Sequence, residues 1–473
     1  MMNKKLKSLS DESMLEQKND TKGRRDFFKK AGMGGLALGL MFNGNITTEI
    51  EYSTQKVSRN SAPSDLKITD LRIAFTTEAP IIKVDTNQGI YGLGEVRDNG
   101  SPKYALFLKS RLLGKNPCNV EQIFKVIKQF GGHGRLGGGV SGVEMALWDL
   151  VGKAYGIPVY QLLGGKYRNK VRIYADTPSS RDPEVYANRM RGRIEKGFTF
   201  LKMDFGIQLI KDIPGALVGA DVWDFRKQWS EELGSLGTTK HPFTRIQITD
   251  LGLEKLVEYV EIVRNIVGYE IPLAADHFGH FDTNAAVRLG NAVEKYRLAW
   301  LEDLVPWFYT SKWKEITHAI NTPTLTGEDI YLKEGFRELI EQKAVDMVHP
   351  DLASAGGILE TKKIGDFAEE NGIAMALHFA GTPISFMANV HSAAATENFV
   401  ALEHHDVDTP WWEDLVKADK PLVEQGYVQV PEKPGLGVDL NEEVIREHLR
   451  EGEKYFAPTP EWDEDQSWDR TWS

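Results

Sequence analysis

Leu273-Ala-Ala-Asp276, Leu298-Ala-Trp-Leu-Glu302, Thr324-Leu-Thr-Gly-Glu328, Val345-Asp-Met-Val-His-Pro-Asp351, Ile373-Ala-Met-Ala-Leu-His378 and Phe399-Val-Ala-Leu-Glu403 follow one pattern. Each is a short apolar run that closes on an acid or a histidine. The closing residues are spaced by 26, 26, 23, 27 and 25 residues. Helix-like stretches fill the intervals, and strands alternating with helices imply βαβ units and a parallel sheet. Val171–Tyr174 and Phe200–Met203 are two earlier runs of the same kind. They bring the count to eight, the number of units that closes a (β/α)8-type barrel. The expected fold class is α/β.

Strand C-termini in such a barrel converge on one mouth, where active sites lie. One strand-end acid could simply cap the helix that follows. Five acids and one histidine in step argue for a shared site. Carboxylates brought together repel and raise each other's pKa. A hard divalent cation resolves that repulsion, and an all-oxygen donor set favours Mg²⁺. Asp351 and His378 lie on adjacent strands, and a carboxylate that orients an imidazole makes a general acid or base. His349, two residues before Asp351, could support the site from behind or pack in the core, and the packed reading is favoured. His404 and His405 should point to opposite faces of their strand, which argues against a zinc site there.

Composition narrows the classes further. The 57 Lys+Arg against 68 Asp+Glu in 473 residues give a net charge of -11, without the basic stripe of a nucleic-acid binder. A 41% hydrophobic content excludes a disordered chain. The single cysteine, Cys118, leaves no thiolate-rich metal site. No run approaches the ~20 apolar residues that span a bilayer.

Upstream of the barrel, Leu66 to Glu95 reads as three strands, with a turn at Asp85-Thr-Asn-Gln-Gly89. Ser141 to Tyr155 has an apolar stripe at helical spacing. An N-terminal α+β capping domain is therefore expected at 67–168, and the barrel at 169–405 with a lid insertion at 205–250. A C-terminal segment, 406–473, should pack back on the cap, with Trp411 and Trp412 in packing roles. Gly132-His-Gly-Arg-Leu-Gly137 fits G-x-G-x-x-G, but it follows a helical pattern and opens no helix, so it reads as a cap loop and not a nucleotide fingerprint. Residues 1–45 carry Arg24-Arg25-Asp-Phe-Phe28 before a short apolar run, which resembles a twin-arginine export signal. A periplasmic location follows as an expectation, with 46–66 as linker.

Between about 67 and 415 the chain resembles the enolase superfamily, in its mandelate racemase/muconate lactonizing branch. The resemblance rests on Gly142-Val-Glu-Met-Ala-Leu-Trp-Asp-Leu-Val-Gly-Lys-Ala154, Pro158-Val-Tyr-Gln-Leu-Leu-Gly-Gly165, Trp300-Leu-Glu-Asp303, Thr326-Gly-Glu328, Pro350-Asp-Leu-Ala-Ser-Ala-Gly-Gly357 and Leu377-His378. It implies that Asp276, Glu302 and Glu328 bind Mg²⁺, one ion per subunit. It further implies that Asp351–His378 is the catalytic dyad, that Glu403 lies on the substrate-carboxylate side, and that the protein is a homo-oligomer. The implied chemistry is removal of a proton α to a carboxylate, with Mg²⁺ stabilising the charge that forms. The handling of the enediolate then decides between dehydration, epimerisation and cycloisomerisation.

The departures narrow this choice. The racemase branch often has Lys-x-Lys on the second strand, and here the sequence is Lys202-Met-Asp204. Lys202 matches the lysine that contacts the substrate carboxylate, and Asp204 stands where the second base would be. Asp276-His-Phe-Gly-His280 offers His277 and His280 as the second acid, with His280 preferred because the residue directly after a strand-end Asp points away. Glu302-Asp-Leu304 replaces the usual Pro with Leu, which should alter loop shape but not metal ligation. Arg97, Tyr104, His133 and Arg135 in the cap loops are candidate specificity residues, with Arg97 and Arg135 expected to bind substrate. The leading expectation is a lyase that dehydrates a small-molecule sugar acid to a 2-keto-3-deoxy acid. A racemase, epimerase or cycloisomerase is second, and a non-catalytic sugar-acid binding protein third.

Overall fold

The computed structural model describes residues 62–132, 134–219, 246–277, 279 and 281–464. The expected export signal, most of the expected linker, His133, His280 and the middle of the expected lid insertion lie outside these residues. Within the linker range, Leu66 is already buried, and Asn116 donates to the Pro63 carbonyl at 2.8 Å.

Three antiparallel strands open the chain: β1 (Ile68–Phe75), β2 (Pro80–Thr86) and β3 (Tyr91–Glu95). A helix, Gly137–Tyr155, packs across β3, and Gly156 ends it in the left-handed conformation. Contact is close because both faces carry glycine. A Cβ on Gly94 would lie 1.9 Å from the Gly142 carbonyl oxygen. The helix opens at Gly137, four residues before the expected Ser141, so a helix does begin at the end of the G-x-G-x-x-G run. What precedes the run is still not a strand but the 3-10 turn Lys128–Phe130, and a second 3-10 turn, Gly134–Leu136, leads into the helix. Gly137 abuts Ser354 and Tyr331, and Gly138 abuts Arg97 and Ala353, so these glycines serve cap-to-barrel docking.

The barrel strands are β4 (Lys170–Ala175), β5 (Leu201–Asp204), β8 (Leu273–Asp276), β9 (Leu301–Glu302), β10 (Thr324–Thr326), β11 (Met347–Val348), β12 (Ala374–Leu377) and β13 (Phe399–His404). All eight pair in parallel, and β13 returns to β4, which closes the barrel. Between β5 and β8 lies a two-stranded ribbon, β6 (Leu217–Val218) and β7 (Gln247–Ile248). Tyr174, Phe200, Ala274, Trp300, Leu325, Ala376 and Ala401 fill the barrel interior. The Trp300 ring lies edge-on to Tyr174 at 5.5 Å and to Phe200 at 4.9 Å, forming an aromatic floor beneath the mouth.

After the barrel come β14 (Val416–Lys417), β15 (Tyr427–Gln429) and β16 (Asp439–Leu440). The segment does more than cover the cap, because β15 adds antiparallel to β4. It also reaches the cap, where Lys109 pairs with Asp463 at 2.7 Å and Arg450 N–H donates to the Phe75 carbonyl. Trp412 is buried and donates to the Gly381 carbonyl at 2.7 Å, while Trp411 stacks on His448.

Candidate active site

The parallel register brings the strand-end residues to one mouth. Asp204 is in register with Asp276, and Asp276 with Glu302. Lys202 comes up inside this ring, 2% exposed, with Nζ 3.1 Å from Asp276, 3.5 Å from Glu302 and 2.7 Å from Glu403. Burial alone would lower the Lys202 pKa, but Glu302, Glu403 and Asp276 more than offset this and hold the ammonium charged. Burial and the neighbouring Glu302 push the Asp276 carboxyl well above its usual range.

Glu302 is fixed from below. Trp300 Nε1 donates to it at 3.1 Å, and His349 Nδ1 lies 3.1 Å away. Burial would raise this carboxyl, but His349 and Lys202 hold it below the usual range. The other His349 nitrogen meets the Tyr174 hydroxyl at 2.8 Å, and Tyr174 donates to Glu403 at 2.8 Å. His349 is thus buried as expected, yet it links two site carboxylates and is not merely packed.

Asp351 follows β11 and His378 follows β12. Their side chains meet at 2.6 Å, Oδ2 to Nδ1. Asp351 also caps its helix by accepting from Ser354 N–H. His378 Nε2 faces the mouth, 3.0 Å from Glu328. Burial lowers the His378 pKa, but Glu328, Glu403 and Asp351 raise it to about 8. Burial pushes Glu328 up, whereas His378, Arg97 and Lys202 bring it down to about 2.

Arg97 lies differently from its reading as a substrate-binding residue. Arg97, at the end of β3, is 1% exposed and hydrogen-bonds the Glu328 carbonyl at 2.6 Å, Asp329 at 2.9 Å and Ser354 at 2.7 Å. Its remaining nitrogens lie 3.4 Å from the Glu328 carboxylate and 3.8 Å from Asp351. With its donors so engaged, the guanidinium braces site acids and does not present itself to a substrate. Arg135 reaches Asp98 at 2.6 Å, and Asp98 in turn meets Arg97 at 3.3 Å. His277 turns away from the mouth, against the Phe205 carbonyl and the Phe205 and Phe281 rings.

The other residues lie as follows. Asp204 is largely buried, and burial together with Asp176 pushes its carboxyl up to about 7. Asp303, in the altered Glu-Asp-Leu loop, adopts φ 44° and accepts from Thr326 at 2.5 Å. His404 leaves the mouth and packs 4.6 Å from the Trp412 ring. His405 faces the mouth, 3.1 Å from Glu403 and 3.6 Å from Asp176. Tyr174, Asp176 and His405 were not expected in the site. His405 carried a parity signal, two residues from Glu403 on the same face, whereas Tyr174 and Asp176 carried none, since no expected site residue lies on β4.

Among the described residues, His378, Glu403 and His405 offer ligand atoms all within 4.8 Å of one another. The expected triad is not gathered as tightly. Lys202 is wedged between Asp276 and Glu302, and Glu328 turns to His378 and Arg97.

Comparison with known proteins bears on this geometry. Residues 49–164 match the mandelate racemase / muconate lactonizing enzyme N-terminal domain, and residues 185–444 match the enolase C-terminal domain-like family. A D-xylonate dehydratase from Haloferax volcanii is 34% identical, over 83% of this chain and 91% of its own. A D-galactonate dehydratase family member, RspA, from Pantoea ananatis is 30% identical, over 82% and 95%. The crystal structure of a mandelate racemase/muconate lactonizing enzyme-like protein from Rubrobacter xylanophilus superposes with a TM-score of 0.71 at 32% identity, covering 82% of this chain and 99% of that one. The chain belongs to the mandelate racemase and muconate lactonizing branch of the enolase superfamily.

Proposed function

We propose that the protein is a Mg²⁺-dependent dehydratase of sugar acids. It removes the proton α to the carboxylate, expels the β-hydroxyl as water, and releases a 2-keto-3-deoxy acid once the enol tautomerises. The carrying observation is the Asp351–His378 pair, 2.6 Å apart, at the same mouth as Asp276, Glu302 and Glu328. The xylonate and galactonate dehydratases among the relatives supply the substrate class.

Asp276, Glu302 and Glu328 would hold Mg²⁺. Their chemistry fits a hard cation, being three carboxylates of which Asp276 is destabilised as an anion by burial and Glu302. When bound, Mg²⁺ supplies positive charge to the substrate carboxylate and lowers the cost of losing the α-proton.

This chain's own groups do the rest. Asp351 fixes the His378 tautomer with Nδ1–H toward the carboxylate, which leaves Nε2 to carry the proton at the mouth. Lys202 Nζ holds the substrate carboxylate, with Glu403 beside it. Asp204 is the second acid/base. It stands on β5, separated from β12 by β4 and β13, and a carboxyl at about 7 exchanges its proton near neutrality. His280 is the other candidate for this role. Arg135 lies at the rim, 41% exposed, where an incoming acid would meet it.

The test is incubation with aldonates, aldarates and anhydro-sugar acids, D-xylonate and D-galactonate included, read by a 2-keto-3-deoxy acid assay with and without Mg²⁺. The expected result is keto acid from at least one substrate, lost on chelation. Solvent deuterium entering the α-position with no keto acid from any substrate refutes dehydration in favour of epimerisation.

A further inference from the structure

The mouth holds a second donor set of a different chemical character. His378 and His405 rise from the ends of β12 and β13 with ring centroids 5.7 Å apart, and the Glu403 carboxylate lies between them. His405 Nε2 is 3.1 Å from Glu403 Oε1, and His378 Nε2 is 3.9 Å from Glu403 Oε2. A tetrahedral Zn²⁺ with bonds near 2.0–2.1 Å separates its ligand atoms by about 3.3 Å. The three ligand atoms lie within 4.8 Å of one another, so side-chain adjustments of up to about 1.5 Å would bring them to the edges of such a tetrahedron. The fourth corner is left to water, because Glu328 belongs to the Mg²⁺ set.

The surroundings match what a metal-binding imidazole requires. Each ring has its other nitrogen toward a carboxylate, His378 Nδ1 to Asp351 at 2.6 Å and His405 Nδ1 to Asp176 at 3.6 Å. Carboxylate–histidine pairs of this kind fix the tautomer and strengthen the imidazole as a ligand. Glu403 Oε1 and His405 Nε2 face each other at 3.1 Å, and the Lys202 ammonium reaches the same oxygen at 2.7 Å. The His405 side chain is 34% exposed, which leaves a path from solvent. Nitrogen donors suit Zn²⁺ and Co²⁺, whereas Mg²⁺ keeps to oxygen. The two donor sets therefore select different ions.

We propose that His378, Glu403 and His405 form a transition-metal site, selective for Zn²⁺ over Mg²⁺, whose occupation switches the enzyme off. A metal bound to His378 Nε2 takes the lone pair that would accept a proton, and it takes over the Lys202 pairing with Glu403 Oε1, 2.7 Å long. The inhibitory consequence rests on the reading of His378 as the proton carrier. The binding does not.

Binding is read first, without turnover. Co²⁺ is titrated into the full chain saturated with Mg²⁺, and visible absorption is recorded. Wild type should develop the intense d–d bands of a four- or five-coordinate ion, and Zn²⁺ should remove them. His405→Gln should lose the bands while keeping the wild-type circular dichroism. Asp176→Asn, which removes only the outer partner, should weaken Co²⁺ binding by about tenfold. Micromolar Zn²⁺ should then inhibit keto acid formation by wild type, whereas His405→Gln, measured against its own rate without Zn²⁺, should show no further loss. Bands that are absent from wild type, or equally strong in His405→Gln, overturn the site. An enzyme that forms keto acid yet gives no bands refutes this site and leaves the dehydratase reading standing.

Discussion

Arg97→Ala removes a guanidinium buried among four acids, Asp329 at 2.9 Å, Asp98 at 3.3 Å, Glu328 at 3.4 Å and Asp351 at 3.8 Å. The four do not contribute equally. Asp329 is 45% exposed, so water can replace the arginine there at little cost. Asp98 keeps Arg135 at 2.6 Å. Asp351 is 3% exposed, and Glu328 gives up both a carboxylate contact and a hydrogen bond to its carbonyl. Removing one partner of a buried ion pair costs about 3–5 kcal/mol. The expected loss is that amount, not the sum of four pairs, and it is a large share of a typical folding free energy. Urea unfolding of wild type and Arg97→Ala measures it. Activity adds a second readout. A brace for Asp351 and Glu328 should lower kcat and leave KM nearly unchanged, because the substrate does not touch it. Arg97→Lys restores one charge without the fork and should recover part of both losses. A variant of unchanged kcat with raised KM would instead identify a substrate contact. A stability change below about 0.5 kcal/mol would refute the buried-pair argument.

Other perturbations separate the remaining roles. His378→Asn should abolish keto acid formation and α-deuterium exchange while a substrate analogue still binds by calorimetry; exchange at the wild-type rate would remove His378 from the reaction. Burial raises the Glu95 carboxyl to about 8, against hydrogen bonds from Thr382 and Ser385 that lower it. The folded state therefore holds a proton that the unfolded chain releases near pH 4.5, and this contribution to stability declines as pH rises from about 4.5 through 8. Glu95→Gln should flatten the fall in melting temperature across that window, and an unchanged slope would count against the assignment. For the N-terminus, we propose export by the twin-arginine route; Arg24→Lys with Arg25→Lys should retain the protein in the cytoplasm, and unaltered periplasmic recovery would refute the route.

The barrel was legible because its geometry turns a sequence interval into a place. Six closing residues at 23 to 27 residue spacing occupy successive positions round one mouth. What stayed hidden depends on side-chain reach. Lys202 could be placed on its strand, but nothing in the sequence says that its ammonium would pair at once with Asp276, Glu302 and Glu403. Arg97 is 231 residues from Glu328, and only the docking of the cap brings them together. Parity was available and was applied too narrowly. It separated His404 from His405, yet His405 shares a face with Glu403, as Trp300 does with Glu302.

Parity and docking together also explain how the cap acts on the chemistry. Glu144 of the long cap helix accepts from the Ile358 and Leu359 N–H groups at 2.6 and 3.0 Å, at the start of the Ile358–Glu370 helix. Glu95 of β3 accepts from Thr382 N–H at 3.0 Å and from the Ser385 hydroxyl at 2.7 Å, at the start of the Pro383–Ala395 helix. Both are acids set against helix N-termini, where each accepts from N–H groups that have no partner within the helix. The two helices follow the strand ends that carry Asp351 and His378. Arg97 adds a third brace to the same half, through Ser354 and Asp351. The cap therefore grips the acid–base side of the mouth, while Asp276 and Glu302 are held by barrel residues, Lys202, Trp300 and His349. A cap substitution such as Glu144→Ala should accordingly disturb proton transfer at His378 more than metal affinity. Comparing kcat with the Mg²⁺ activation constant in that variant measures the division, and a weakened Mg²⁺ response at unchanged kcat would contradict it.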